Sequence, residues 1–151
     1  MILTDECNHR PIAAALEASN EAYPAGETPA AHDIQLRAFP PGDVDADGIV
    51  AEFDLDHIVA VERPGRSAAG TYCTMRGRAM DGIARLEQLL VTTDGARRPG
   101  LTSTGVGDGG NELGMGKRIE AVRAHIPLGE KIGSVVPVRR RPCPTRVLGH
   151  T

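Results

Sequence analysis

Aromatic residues are nearly absent: there is no Trp, and two Phe and two Tyr make up 3% of the chain. A core of Ile, Leu, Val and Ala follows, and the aromatic platform on which single-stranded nucleic acid stacks is missing. Cysteine is equally scarce. Cys7, Cys73 and Cys143 are odd in number and lie in no CxxC or Cys/His ligand spacing, which argues against both a disulfide framework and a structural zinc site. No apolar run approaches the roughly 20 residues of a membrane span. The start, Met1-Ile2-Leu3-Thr4-Asp5-Glu6, turns acidic without the basic flank and apolar stretch of a signal peptide. These absences lead to the expectation of a cytoplasmic protein with no nucleic-acid and no membrane partner.

What is present suits one domain with a modest core: 151 residues, 40% hydrophobic and 25% charged. The net charge of -3 hides an asymmetry. Residues 1–56 hold twelve carboxylates against Arg10 and Arg37, whereas 57–151 hold eight against fifteen Lys and Arg. Two halves of opposite sign are expected to neutralise each other within one fold.

Along the chain, Ile2-Leu3-Thr4 reads as the end of a buried strand, with Asp5-Glu6-Cys7-Asn8 as turn and helix cap. An Ala-rich helix over 11–20 follows, capped by Asn8 and with Pro11 near its first turn. Residues 23–32 form a Pro/Gly/Glu loop. Residues 34–39 alternate apolar and polar as in a half-buried strand at a sheet edge, and 49–53 adds a helical turn. His57-Ile58-Val59-Ala60-Val61-Glu62 is apolar enough for a parallel strand covered on both faces. An amphipathic helix over 79–92, with Ile83, Leu86, Leu89 and Leu90 at helical spacing, then a basic turn over 94–100, leads to a strand at 101–106 and a helix from 117 to 124. Met75 and Met80 are placed in the core. One more strand begins near Gly133, and the arginine- and proline-rich run from Arg139 onward is read as an irregular tail. Strand, loop, helix, strand in this order make a right-handed βαβ unit.

The densest concentration of chemistry is Gly105-Val106-Gly107-Asp108-Gly109-Gly110-Asn111-Glu112-Leu113-Gly114-Met115-Gly116, at the expected strand-to-helix turn. Glycine lets a backbone approach a ligand closely, and free N–H groups there attract anions. The stretch matches GxGxxG but lacks the acidic residue of a dinucleotide site, and no P-loop ending occurs. A second group, Glu62, Arg63 and Arg66, lies at the carboxyl end of the 57–62 strand, where ligands bind in open α/β sheets. The two groups meet if strands 57–62 and 101–106 are neighbours. Arg63 and Arg66 then suit a substrate carboxylate, and Asn111 is a further substrate-binding candidate. Gly109 and Gly110 N–H groups suit a developing oxyanion, where one good donor is worth about 3 kcal/mol. Asp108, Glu112 and Glu62 suit proton transfer. Asp108, Asn111 and Glu112 also offer oxygens to a hard divalent cation, although no cofactor is required by the pattern. Read for stability alone, Asp108 and Asn111 cap the helix and Glu62 pairs with Arg63 or Arg66.

The stretch 62–77, Glu62-Arg63-Pro64-Gly65-Arg66-Ser67-Ala68-Ala69-Gly70-Thr71-Tyr72-Cys73-Thr74-Met75-Arg76-Gly77, together with 105–116 and Thr4-Asp5-Glu6, resembles the motifs of the D-glutamate cyclase-like C-terminal domain family, formerly a domain of unknown function. The likeness covers 1–137. It departs at Cys73-Thr74, where the family has Tyr-Asn, and beyond 137, where a Ser-Asn-Trp-Gly segment is replaced by the tail from Arg139. The resemblance implies an α/β, Rossmann-like three-layer fold with a mostly parallel sheet, incomplete at both ends. It implies a truncated copy of the domain over 1–137 and an out-of-frame basic tail over 138–151. It further implies a hydro-lyase that converts D-glutamate to 5-oxo-D-proline and water, with D-glutamate or a similar carboxylate as the small-molecule partner, and a fragment that is inactive by itself. The alternative is a non-catalytic module that binds a phosphate- or carboxylate-bearing metabolite.

Overall fold

The computed structural model describes residues 1–22, 34–90 and 99–137. The expected 23–32 loop, most of the 94–100 turn and the tail from 138 lie outside the described residues.

Strand β1 (Ile2–Asp5) runs directly into helix α1 (Glu6–Ala22), and the chain returns as β2 (Leu36–Phe39). β1 and β2 pair in parallel, Ile2 opposite Leu36 and Asp5 opposite Phe39. The helix begins earlier than the sequence suggests. Asn8 is therefore inside it rather than at its cap, and Pro11 lies within it. Helix α2 (Ala46–Glu52) is capped by Asp45, whose side chain accepts from Gly48 N at 2.9 Å. This satisfies one of the helix-start donors that have no partner in the helix itself.

Strand β3 (His57–Val61) pairs in parallel with β4 (Thr102–Val106), with Ala60 opposite Gly105 and Val61 opposite Val106. The pairing expected from the sequence therefore forms. It does not extend into one sheet, for the described residues form two separate two-stranded parallel sheets, β1–β2 and β3–β4. The expected three-layer arrangement is not seen among the described residues. Val59, Val61 and Val106 are 56%, 64% and 47% exposed, so β3 is not covered on both sides as its apolar run predicts. An apolar crevice of about 540 Å³ lies between β1 and β3, lined by residues such as Leu3, Ile12, Ile58, Ala60 and Leu89. The packed core lies beside it, with Phe39, Ile49, Ala84, Leu86 and Leu89 in one cluster.

The predicted helix over 79–92 is replaced by an extended passage and a 3-10 helix at Leu86–Leu90. Ile83, Leu86 and Leu89 are buried as their spacing requires, but the backbone before them is engaged elsewhere. Met80 N donates to Tyr72 O, Gly42 N donates to Ile83 O, Arg85 N donates to Gly42 O, and Ala84 N donates to the Asp5 carboxylate. Those bonds displace the i to i−4 ladder of an α-helix. A 3-10 turn still sets Leu86 and Leu89 above one another. After β4, the glycine stretch leads to a 3-10 turn at Gly116–Arg118, then α3 (Ile119–His125) and α4 (Gly129–Ile132). The segment expected to form a strand near Gly133 makes only single backbone bridges, Ser134 to Ser67 and Pro137 to Gly114 and Met115. Met75 is 42% exposed rather than in the core.

Candidate active site

The β3–β4 register ends both strands at the same level, so the loops that leave them run side by side. Glu62 N donates to Val106 O at 2.9 Å, Gly65 N donates to Asn111 O at 2.9 Å, and Leu113 N donates to Arg63 O at 2.8 Å. The two sequence motifs are thus stitched backbone to backbone. Glu62, Asp108 and Glu112 come together with one carboxylate oxygen from each lying within 4.8 Å of the others. Glu62 and Asp108 are exposed, and Glu112 is 5% exposed. Glu62 adopts a left-handed backbone, φ 49°, which costs a residue with a side chain about 1 kcal/mol or more.

The glycines play a different part from the one expected. Gly109 N donates to Glu112 Oε1 at 2.8 Å, and Gly110 N donates to Glu112 Oε2 at 2.7 Å. The turn does bind an anion, but the anion is its own carboxylate. These two donors face Glu112 rather than the oxyanion of a ligand. Glu112, in turn, is a held group. Glycine is required here for space: a Cβ at Gly107 would lie 2.6 Å from Glu112 Cγ, and Gly110 has φ +92°.

The arginines separate. Arg63 forms a two-pronged ion pair with Asp5, Nη1 to Oδ2 and Nη2 to Oδ1 at 2.9 Å each, and Nη2 also donates to Ala84 O at 2.7 Å. Asp5 is 1% exposed and accepts from Ala84 N at 2.8 Å as well. Arg63 therefore ties the β3 loop to the end of β1, in place of the substrate-binding part expected of it. Arg66 Nε lies 2.7 Å from Glu87 Oε1, off the N–H direction, so the contact is an ion pair and not a hydrogen bond. Its side chain is 38% exposed. Tyr72 Oη donates to the same Glu87 oxygen at 2.6 Å. Burial first, then this hydrogen bond, pushes the Tyr72 phenol well above its ordinary range. Neither Arg63 nor Arg66 pairs with Glu62, as the stability-only reading would have it.

Asn111 does not cap a helix. It is 8% exposed, and its Nδ2 donates to Cys73 O at 2.8 Å, joining the glycine stretch to the 71–79 loop. Its Oδ1 is buried with no partner among the described residues. Glu87 lies outside the sequence motifs, and Asp5 and Tyr72, although inside them, have no role assigned by the sequence. A carboxylate at the end of an apolar strand, ahead of an arginine-bearing loop, was the signal for Asp5. Glu87 carried no comparable signal.

A parallel α/β unit with acidic and glycine-rich loops at its strand ends is the class defined by this geometry. Residues 1–140 match the sequence model described as D-glutamate cyclase-like, C-terminal, and the chain belongs to that family. It is similar to the human protein named D-glutamate cyclase, mitochondrial, at 49% identity over 79 residues. That stretch is 52% of this chain and 12% of the human protein. The compartment in that name differs from the cytoplasmic one expected from the sequence. No helix among the described residues is long and apolar enough to cross a membrane.

Proposed function

We propose that the chain carries a hydro-lyase site at which D-glutamate cyclises to 5-oxo-D-proline with loss of water. The observation that supports this reading is the convergence of Glu62, Asp108 and Glu112 at the joined loops of a D-glutamate cyclase-like chain. In the reaction the substrate nitrogen forms a bond to its own side-chain carboxyl carbon, and one carbon–oxygen bond of that carboxyl breaks. The ammonium gives up two protons, and the departing oxygen takes up two and leaves as water. Because nucleophile and electrophile share one molecule, the protein need only fold the substrate, relay protons and balance charge.

The exposed carboxylates of Glu62 and Asp108 attract the ammonium and accept its proton, then return it to the leaving oxygen. Glu112, clamped by Gly109 and Gly110, fixes the wall against which they work. The terminal nitrogens of Arg66 receive a substrate carboxylate. The phosphate- or carboxylate-binding alternative loses its main donor pair, since the Gly109 and Gly110 N–H groups already hold Glu112.

Incubation of the 151-residue chain with D-glutamate, followed by proton NMR, should show 5-oxoproline accumulating above the buffer rate. Asp108→Asn and Glu62→Gln should each lower kcat by about 100-fold or more. Saturable D-glutamate binding without any product would replace the cyclase reading with the binding-module one.

A further inference from the structure

Strands β1 and β3 each have one partner strand, and each leaves its other edge open. In a parallel ladder, alternate residues of a strand turn their backbone N–H and C=O to the same neighbour. Ile2 N donates to Gln35 O on the β2 side, so Leu3, the next residue, turns away from β2. Thr102 N donates to Asp56 O and Glu62 N donates to Val106 O, which sets His57, Val59 and Val61 facing away from β4. The backbone groups of Leu3, Val59 and Val61 make no hydrogen bond among the described residues. Open edges of this kind are templates for a further strand.

The apolar crevice lies between these two edges. Side chains alternate from face to face along a strand, so a cavity against a sheet face meets every second residue. This one is lined by the consecutive residues 2–5 and 57–63, and therefore runs along the edges of β1 and β3. Its other walls include Ile12 of α1 and Leu86 and Leu89 of the core. At its end Arg63 meets Asp5 side chain to side chain, whereas directly paired strands stand about 4.8 Å apart and bond backbone to backbone. The same contact sets the carboxyl ends of β1 and β3 together, so the two strands run in the same direction. Across the crevice the order is β2, β1, then β3, β4, with the chain stepping outward on both sides. In a doubly wound sheet such a reversal falls at a central strand.

We propose that the crevice is a slot for one extended apolar segment of a separate polypeptide, which pairs in parallel with β1 on one side and β3 on the other and joins the two half-sheets into one. The paired stretch is four or five residues, the lengths of β1 and β3. Its side chains meet apolar walls, which calls for a run of Val and Ile rather than an alternation of apolar and polar residues. A small apolar molecule would leave the facing N–H and C=O groups unpaired. A second copy has no suitable strand among the described residues: each of β1 to β4 already has one edge paired, and the slot needs both edges free. The carboxyl end of the slot is lined by Glu62 and Arg63, so the residues that follow the inserted segment enter the candidate active site. Only that consequence rests on the cyclase reading; the strand pairing does not.

The test uses the full 151-residue chain and a fluorescein-labelled peptide with a short Val and Ile core and lysines at both ends, monomeric by sedimentation at the concentrations used. Fluorescence anisotropy should show one saturable site per chain. The same peptide methylated on its central backbone nitrogens keeps the apolar side chains and loses ladder donors, so it should bind about 10-fold more weakly or worse. In hydrogen exchange followed by NMR, the amides of Leu3, Val59 and Val61 should exchange faster than those of Ile58 and Ala60 in the free chain, and should slow by about 10-fold or more when the peptide binds. Val59→Pro removes one outward donor without touching the ladder to β4, and Ile12→Lys puts a charge into the wall; each should weaken binding by about 10-fold or more, with circular dichroism melts to show that the variants fold. The methylated peptide is read on the parent chain and decides the matter even where a variant fails to fold. Absence of saturation up to about 1 mM, or equal affinity for the methylated peptide, overturns the slot. A dimer of the chain that excludes the peptide overturns it as well and gives the edges to a second copy. Peptide binding by a chain that turns over no D-glutamate refutes the cyclase reading and leaves the slot standing. Turnover by a chain that binds no peptide does the reverse.

Discussion

Replacing Arg63 by Met separates a structural arginine from a substrate-binding one. Met keeps the length of the apolar stem and removes the guanidinium that meets Asp5 with two bonds of 2.9 Å and Ala84 O with one of 2.7 Å. Asp5 is 1% exposed and would retain only the bond from Ala84 N. Stranding a buried charge in this way costs about 3–5 kcal/mol, against a total stability of roughly 5–15 kcal/mol for a domain. Arg63 is itself partly solvated, at 14% side-chain exposure, so the lower end applies, about 3 kcal/mol. For a chain of this size that corresponds to a fall in Tm of about 10 °C. The assay is urea and thermal unfolding followed by circular dichroism. Asp5→Asn in the same background removes the stranded charge and should restore at least about 1 kcal/mol, giving a positive coupling in the double-mutant cycle. A loss under 1 kcal/mol in Arg63→Met, accompanied by a tenfold rise in KM for D-glutamate, would sink this reasoning and return Arg63 to the substrate.

Other outcomes follow from the same geometry. Gly109→Ala should cost about 1–3 kcal/mol in urea unfolding, because the new Cβ overlaps Met75 Sδ and crowds Glu112 Oε1; Met75→Ala in that background should recover only part of it, since Glu112 stays where it is. Tyr72→Phe removes the 2.6 Å bond to Glu87, a carboxylate 4% exposed, and should cost about 1–2 kcal/mol. The folded Tyr72 keeps its proton to higher pH than the unfolded chain does. Its contribution is therefore complete below an unfolded value of about 10 and is lost as pH rises above it. A Tm series from pH 8 to 11.5 should fall less steeply in Tyr72→Phe than in the parent. Val61→Thr, at a position 64% exposed on the uncovered face, should change stability by less than about 0.5 kcal/mol in the same assay.

Hydrophobic period and local capping rules made much of the chain legible. The strands at 2–5, 36–39, 57–61 and 102–106 and the helices at 6–22, 46–52 and 119–125 fall where apolar spacing and turn residues suggest, with ends displaced by a few residues. The motif pairing was legible for the same reason, since consecutive parallel strands place their loops at one end. The helix expected over 79–92 failed for a reason no local pattern carries. Asp5 and Gly42, both distant in sequence, take the backbone groups of 83–85, and a backbone donor used across the fold cannot also serve a helix. Likewise, an apolar run cannot reveal whether both faces of its strand are covered, which depends on what packs there.

By itself, the sequence determined the residue types at the site: an acidic, glycine-bearing turn next to an arginine-bearing loop, on parallel strands. Only the tertiary structure decided which charges meet. Asp5 claims Arg63 and Glu87 claims Arg66, while the Gly109 and Gly110 N–H groups claim Glu112. Glu62 and Asp108 are left facing Glu112. Spacing along a chain says what each group is able to bind. A buried charge takes the partner that folding brings within about 3 Å, because desolvation leaves it no alternative in water.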